Sequence, residues 1–175
     1  MKTVKNYSIL IISTIILLLS GCSFANNTQK TDVDDDDNKS NYIANPWVEI
    51  TKSEAEKDLG IEIKLPDGAE NAVVRYNSTI SLYDIRFDYD NLFYVYRIKK
   101  SAGDEDISGL YCDWKISSDE TIKGYKGKSY RAITEEETVD LVTWVDDKDI
   151  NYSLTTSAKD LDGFDIIAIA EKLIP

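Results

Sequence analysis

Residues 81–99 read SLYDIRFDYDNLFYVYRIK and contain the clearest pattern in the chain. Apolar and aromatic side chains alternate with polar ones in both halves, first at Tyr83, Ile85, Phe87 and Tyr89 and then at Leu92, Tyr94, Tyr96 and Ile98. A period of two is typical of a strand with one buried face. Asp90 and Asn91 between the halves are turn residues, so the stretch predicts an antiparallel hairpin.

Further strands are predicted on both sides of this hairpin. The segments that indicate them are short, alternating or β-branched, and bounded by polar turns: residues 61–65, 72–76, 110–116, 125–133, 139–145 and 150–156. These six segments and the two strands of the hairpin indicate about seven or eight strands, and the expected architecture is one antiparallel sheet of about seven strands.

Two short helices are predicted at the ends of the sheet region. The sequence TKSE at residues 51–54 is a capping-box pattern and predicts a helix that ends at Gly60. Residues 164–174 are mostly apolar and predict a helix buried on the sheet, with Asp162 as its N-cap. The expected fold class is therefore α+β, with residues 45–175 as a single domain.

Residues 1–21 have the layout of an export signal. Two lysines precede an apolar core at residues 7–19, which is too short to span a membrane as a mature helix. Gly21 and Cys22 follow, and small residues before a cysteine resemble a bacterial lipobox. The resemblance implies cleavage between Gly21 and Cys22 and a diacylglyceryl (palmitate-type) group on the Cys22 thiol, which would anchor the protein at the extracellular face of the cell membrane. The alternative is an ordinary signal peptide or membrane anchor with an accidental cysteine.

Residues 22–44 are expected to be a disordered acidic tether. The run DVDDDDN at residues 32–38 combines low hydrophobicity with like charges, which cannot repay the entropy of ordering. This run lacks the glycine and the final glutamate of an EF-hand loop. We therefore expect a solvated spacer, with weak association of divalent ions as the alternative.

The composition excludes several classes of function. The net charge is −12, and removal of residues 1–21 takes away two lysines and no acid, which leaves −14. An acidic surface repels phosphate, so no nucleic-acid partner is expected. The chain has no histidine, which is the commonest general base and metal ligand. No catalytic residue, metal site or cofactor is predicted.

Three groups of side chains need an interpretation. If Cys22 is lipidated, Cys112 has no cysteine left in the chain with which to form a disulfide. It also lacks a histidine to activate it and is expected to be a small buried side chain instead of a nucleophile. Asp84 and Asp88 alternate with apolar residues and are expected on a solvated sheet face, with a carboxylate-dependent hydrolase as the alternative. Tyr94 and Tyr96 share a strand face and are the candidates for a binding face, while packing within the sheet is the structural interpretation of the same two rings.

The two ends of the predicted domain resemble a known family. The similarity rests on Asn45-Pro46-Trp47 before the short helix, on Trp144 and residues 151–154 (NYSL), and on the closing residues 168–173 (AIAEKL). They are similar to the domain of unknown function 4367 and its lipoprotein relatives in Gram-positive bacteria. The resemblance implies a curved antiparallel sheet with helices packed on it, in proteins tethered outside the membrane. It implies no catalytic residues.

These observations favour a lipid-anchored extracytoplasmic module that binds an envelope protein or a peptide. The first alternative is a carrier of a lipid or another apolar ligand, held in an apolar cavity between the sheet and the closing helix. The second alternative is the hydrolase that would use Asp84 and Asp88.

Overall fold

The computed structural model describes residues 45–175, which form one antiparallel sheet and two helices. The elements follow in the order β1 (Trp47–Ile50), α1 (Lys52–Leu59), β2 (Glu70–Asn77), β3 (Leu82–Tyr89), β4 (Leu92–Lys100), β5 (Ile116–Ile122), β6 (Tyr125–Ile133), β7 (Thr138–Val145), β8 (Ile150–Ala158) and α2 (Ile166–Leu173). The predictions for residues 1–21, for cleavage at Gly21 and lipidation at Cys22, and for the tether at 22–44 lie outside the described residues. Within 45–175, no helix has the length and apolar character that a membrane span needs.

The sheet is open and has the strand order β1-β2-β3-β4-β8-β7-β6-β5. Every neighbouring pair is antiparallel. The connecting segment, residues 101–115, carries the chain from β4 at the centre to β5 at the far edge. From there the chain returns strand by strand until β8 pairs with β4. The last strand of the chain, β8, therefore lies at the centre of the sheet, beside β4.

Both helices cover the same face of the sheet, and the main core lies beneath them. One cross-strand row shows how the register builds this core: Val74, Ile85, Tyr96, Leu154 and Val142. All five side chains are buried. Fully burying such a side chain contributes about 1.5–3 kcal/mol, so the period-two pattern of the sequence provides the driving force for the sheet.

Helix α1 begins and ends where the sequence predicts. The Glu54 backbone N–H donates to Thr51 Oγ1 at 3.2 Å, and the Thr51 backbone N–H donates to Glu54 Oε2 at 2.8 Å, which completes the capping box. Gly60 ends the helix in the left-handed region, with φ 71°. Ala55 and Leu59 form the buried stripe of the helix.

Helix α2 is buried on the sheet, as predicted, but the predicted N-cap residue was wrong. The cap is Asp165, whose carboxylate accepts the backbone N–H of Ile167 at 2.9 Å and of Ala168 at 3.3 Å. The expected cap, Asp162, lies in the preceding turn. The helix is therefore only eight residues long.

The opposite face of the sheet is covered in part by the connecting segment. Arg97 on β4 donates through its guanidinium to the backbone carbonyl oxygens of Ile107, at 3.3 Å, and Ser108. The backbone N–H of Glu105 donates to Asn151 Oδ1 on β8 at 3.1 Å. Ile107 and Ser108 are buried as a result. The segment therefore packs on the sheet, although it contains no strand or helix.

The strand count differs from the predicted value of about seven, since the sheet has eight strands. Residues 61–65 and 110–116 are not strands, whereas β1 and β5 were not predicted. Both missed strands lie at the edges of the sheet, where a side chain contacts one neighbouring strand only. β5 is mostly exposed and polar, so it has none of the apolar alternation on which the prediction relied.

Candidate functional site

A cavity of about 420 Å³ opens at one end of the helix-covered face. Its walls come from the end of α1, from the residues that follow α2 and from the β7–β8 turn. Ligand pockets typically measure ~300–1,000 Å³, so this volume accommodates a small organic molecule or a side chain. We call this space, whose floor is Tyr96, Trp144 and Tyr152, the aromatic cavity.

The three floor rings come from three neighbouring strands, with Tyr96 on β4, Tyr152 on β8 and Trp144 on β7. The ring centroids of Trp144 and Tyr152 are 5.0 Å apart, and each lies 6.1 Å from the Tyr96 centroid. The ring planes are within 12° of parallel. In a linear stack of three rings, the centroids of the two outer rings would be about twice as far apart as the centroids of neighbouring rings. The three rings are therefore nearly parallel but offset from one another, so that no ring fully covers the π face of another.

The polar atoms of the floor are buried. Trp144 is 2 % exposed, and its indole N–H has no acceptor among residues 45–175. The Tyr152 hydroxyl donates to Asp146 Oδ2 at 2.9 Å. Burial, and for Tyr152 also this bond to a carboxylate, raises the pKa of Tyr96 and Tyr152 well above the ordinary value of a tyrosine. The floor is therefore neutral, and the Trp144 indole N–H is a buried donor without a partner among residues 45–175.

Asp146 fixes the β7–β8 turn at the rim of the aromatic cavity. Its Oδ1 accepts the backbone N–H of Lys148 at 2.9 Å and of Ile150 at 3.0 Å, while Oδ2 accepts from Tyr152. Asp149 takes the left-handed conformation that the tight turn requires, with φ 58°. Both carboxylate oxygens are therefore engaged, and the turn is held against the floor.

The rim carries more acidic than basic side chains, and the charged ones are Glu56, Glu62, Asp146, Asp147 and Lys148. Glu56 is partly neutralised by Lys52, whose Nζ lies 3.4 Å from Glu56 Oε1. Glu62 and Asp147 are exposed and have no ion-pair partner in the part of the chain that the structure describes. The opening of the cavity is therefore electronegative.

Tyr94 and Tyr96 share one face of β4, as predicted, but this face lies under the helices and both side chains are buried. Tyr94 stacks on Phe87 with centroids 5.2 Å apart, and burial together with the charge of Asp90 raises its pKa to about 12. Only Tyr96 reaches the aromatic cavity. The two residues therefore form no open binding surface, because helical cover cannot be inferred from strand periodicity.

Asp84 is not on a solvated face, which contradicts the prediction. It is 0 % exposed and lies within 3.1 Å of the guanidinium nitrogens of Arg75, Arg86 and Arg97. Burial alone would raise the pKa of Asp84, but the hydrogen bonds and charges of the three arginines hold it below its usual value. A general acid needs a raised pKa, so Asp84 lacks this property of a hydrolase acid.

Asp88, the second carboxylate of that alternative, is half-buried and accepts a hydrogen bond from Asn71 Nδ2 at 2.7 Å. Cys112 is half-buried in the connecting segment, so its prediction as a buried strand residue was wrong. Cys112 is disulfide-bonded, which contradicts the expectation that it lacks a disulfide partner, and the described residues contain no free cysteine. The same residues contain no group of three or more acidic or cysteine side chains placed to hold a metal ion.

Trp144, Tyr152 and Asp146 were not predicted as site residues, although both aromatic residues were predicted to lie on strands. The available signal was the position of these rings at the facing ends of two strands joined by the acidic turn DDKD at residues 146–149. A short turn brings such residues opposite each other, and the register pairs Trp144 with Tyr152. Tyr96 joins them because β4 pairs with β8, which local sequence does not indicate.

Comparison with known proteins found no match for this chain among protein-family models, curated proteins or solved structures. The resemblance to the domain of unknown function 4367 therefore stays a prediction.

Proposed function

We propose that the protein is a lipid-anchored binding module of the extracytoplasmic membrane surface, and that its ligand site is the aromatic cavity. The observation that carries this proposal is an open cavity of about 420 Å³ with an aromatic floor at the rim of the sheet. Protein interiors are close-packed with few voids larger than a water molecule, so an opening of this size is space that a ligand can fill. A cavity lined by rings with few, fixed polar groups is the usual form of a ligand site.

The membrane anchor is supported by the lipobox-like residues ending in Gly21 and Cys22. Expression of the full chain in a Gram-positive host with a labelled palmitate precursor tests this part. We expect label on the protein and its loss in Cys22→Ser, which should also release the protein from the membrane. Cys112→Ser is the matched control and should retain the label. Equal labelling of both variants would contradict lipidation at Cys22.

The binding part is tested with the full chain in a neutral detergent. Trp47→Phe and Trp114→Phe leave Trp144 as the only tryptophan and make its fluorescence a report on the cavity floor. Fractions of small molecules and peptides from the cell envelope are added, and the bound compound is identified by mass spectrometry. We expect at least one fraction to change the emission.

The matched variants for this experiment are Ile61→Trp and Ile80→Trp. Isothermal titration calorimetry measures the affinity of each variant for the identified compound. Ile61 lines the cavity, whereas Ile80 is exposed at the β2–β3 turn. Filling the cavity should abolish binding, and the same bulk at Ile80 should not. Equal binding by the two variants would show that the ligand site lies elsewhere.

A carrier of an apolar ligand is the alternative function. It requires an apolar lining, whereas the cavity has four carboxylates and one amine at its rim. Binding of lipid by the full chain with loss in Ile61→Trp would favour the carrier. For the hydrolase, the ion pairs of Asp84 give no support, and we propose no catalytic role.

A further inference from the structure

We propose that the aromatic cavity binds an alkylammonium group, supplied either by a free amine or by the side chain of a lysine in a peptide. This inference rests on the proposed function, because it names the chemical class of the ligand for the same site.

The first argument is the charge of the rim. Four carboxylates face one amine around the opening, and Lys52 offsets only Glu56. Glu62 and Asp147 are without an ion-pair partner within residues 45–175. An anion entering the cavity would meet this negative potential, and an apolar ligand would remove water from the carboxylates without replacing it. A cation satisfies the rim.

The second argument is the floor. Tyr96, Trp144 and Tyr152 are neutral aromatic rings, and their offset arrangement leaves parts of the π faces uncovered by one another. The faces of aromatic rings attract ammonium groups, and indole does so most strongly. The acids attract the cation to the opening, and Tyr152, which at 8 % is the most exposed of the three floor residues, offers it the largest aromatic surface.

The third argument is the indole N–H of Trp144, which is buried and has no acceptor among residues 45–175. Trp144 lines the cavity, but its indole nitrogen has almost no exposed surface, so a ligand oxygen reaches it only if neighbouring side chains move. A carbonyl or hydroxyl oxygen on the same molecule as the amine would satisfy this donor. Lysine within a peptide and amino alcohols both have these two groups.

Isothermal calorimetry with the full chain in neutral detergent tests the inference. The probes are n-pentylammonium against n-pentanol, and a blocked glycine-rich peptide with one lysine against the same peptide with that lysine acetylated. We expect each charged probe to bind at least tenfold more tightly than its neutral counterpart, and less tightly at high salt. Whichever charged probe binds more tightly identifies the source of the ammonium group.

The variants that test the rim are Glu62→Gln with Asp147→Asn, and the matched control is Glu135→Gln with Glu136→Gln. The control pair is exposed in the β6–β7 turn and changes the net charge equally. We expect the rim pair to weaken binding of the charged probes by about fivefold and the control pair to leave it unchanged. Lys148→Gln should strengthen binding, because it removes the one rim cation.

Equal affinity for the charged and neutral probes, equal effects of the two variant pairs, or no binding of either charged probe would overturn this inference. None of these outcomes removes the proposed ligand site, which fails if no compound gives a response that Ile61→Trp abolishes.

Discussion

At the scale of single residues, Asp84 is the most consequential charge in the sheet. It neutralises arginines on β2, β3 and β4 from a position with no solvent exposure. We predict that Asp84→Asn lowers the free energy of unfolding by about 3–5 kcal/mol, because it leaves three guanidinium groups without their shared carboxylate. Urea denaturation of residues 45–175 measures this. Asp88→Asn, on the same strand, is the control and should cost less than about 1 kcal/mol.

The pH dependence of this effect has a definite sign. Because the folded-state pKa of Asp84 is lowered, its ion pairs contribute stability above the unfolded pKa of about 3.9 and lose it as the pH falls through the folded value. The difference between wild type and Asp84→Asn should therefore be largest near neutrality and shrink in acid. A difference that stays constant down to pH ~2 would contradict this account.

Buried tyrosines set the opposite limit of stability. Burial raises the pKa of Tyr83, Tyr96 and Tyr152 well above the usual value, and that of Tyr94 to about 12. Their stabilising effect is complete below the unfolded pKa of about 10 and is lost as the pH rises through the folded values. We predict that ionisation of these tyrosines and unfolding coincide above pH ~10.

Tyrosinate absorbance and circular dichroism, followed in one alkaline titration, measure this coincidence. Tyr96→Phe should reduce the late absorbance change by one tyrosine. If all tyrosines ionise while the circular dichroism is unchanged, the rings are more accessible than the structure shows.

At the scale of elements, the capping box of α1 holds the cavity wall in place, because the helix ends at Gly60 and Ile61 on the rim. We predict that Thr51→Ala lowers the free energy of unfolding by about 1 kcal/mol, since it removes the Thr51 hydroxyl, which accepts the Glu54 backbone N–H and donates to the Glu54 carboxylate. Ser53→Ala is the control, because Ser53 is exposed in the first turn and alanine favours a helix. A loss of equal size in both variants would mean that the cap contributes nothing.

Whether the sequence predicts an element correctly depends on how far apart along the chain the residues that stabilise it lie. The capping box and the hairpin of β3 and β4 are local, so residues 51–60 and 81–99 predict them correctly. The prediction of a strand at residues 110–116 (LYCDWKI) was wrong. Alternation of apolar and polar residues does not distinguish a strand within a sheet from a segment that lies across a sheet face. Asp84 was misjudged for a related reason. Its arginine partners on β2 and β4 become neighbours only through the register.

At the scale of the whole molecule, the candidate site depends on contacts between distant parts of the chain. The aromatic cavity combines Tyr96 from the first half of the sheet with Trp144 and Tyr152 from the second half. These halves meet at the β4–β8 pairing, after the chain has crossed the sheet through the connecting segment. Loop closure must precede this pairing, so we expect the cavity to form late in folding.

The connecting segment therefore offers a test of how the two halves are held together. Gly109 and Gly103 both have φ in the left-handed region, at 64° and 85°, so alanine is strained at either position. A Cβ at Gly109 would also overlap the Arg97 guanidinium, whereas a Cβ at Gly103 meets open space. We predict that Gly103→Ala lowers the free energy of unfolding by about 1 kcal/mol. Gly109→Ala should cost about 1–3 kcal/mol more, because it displaces Arg97 from Asp84 and from the Ser108 carbonyl. Urea denaturation of both variants decides the matter, since equal losses would show that the contact of the segment with Arg97 does not stabilise the sheet.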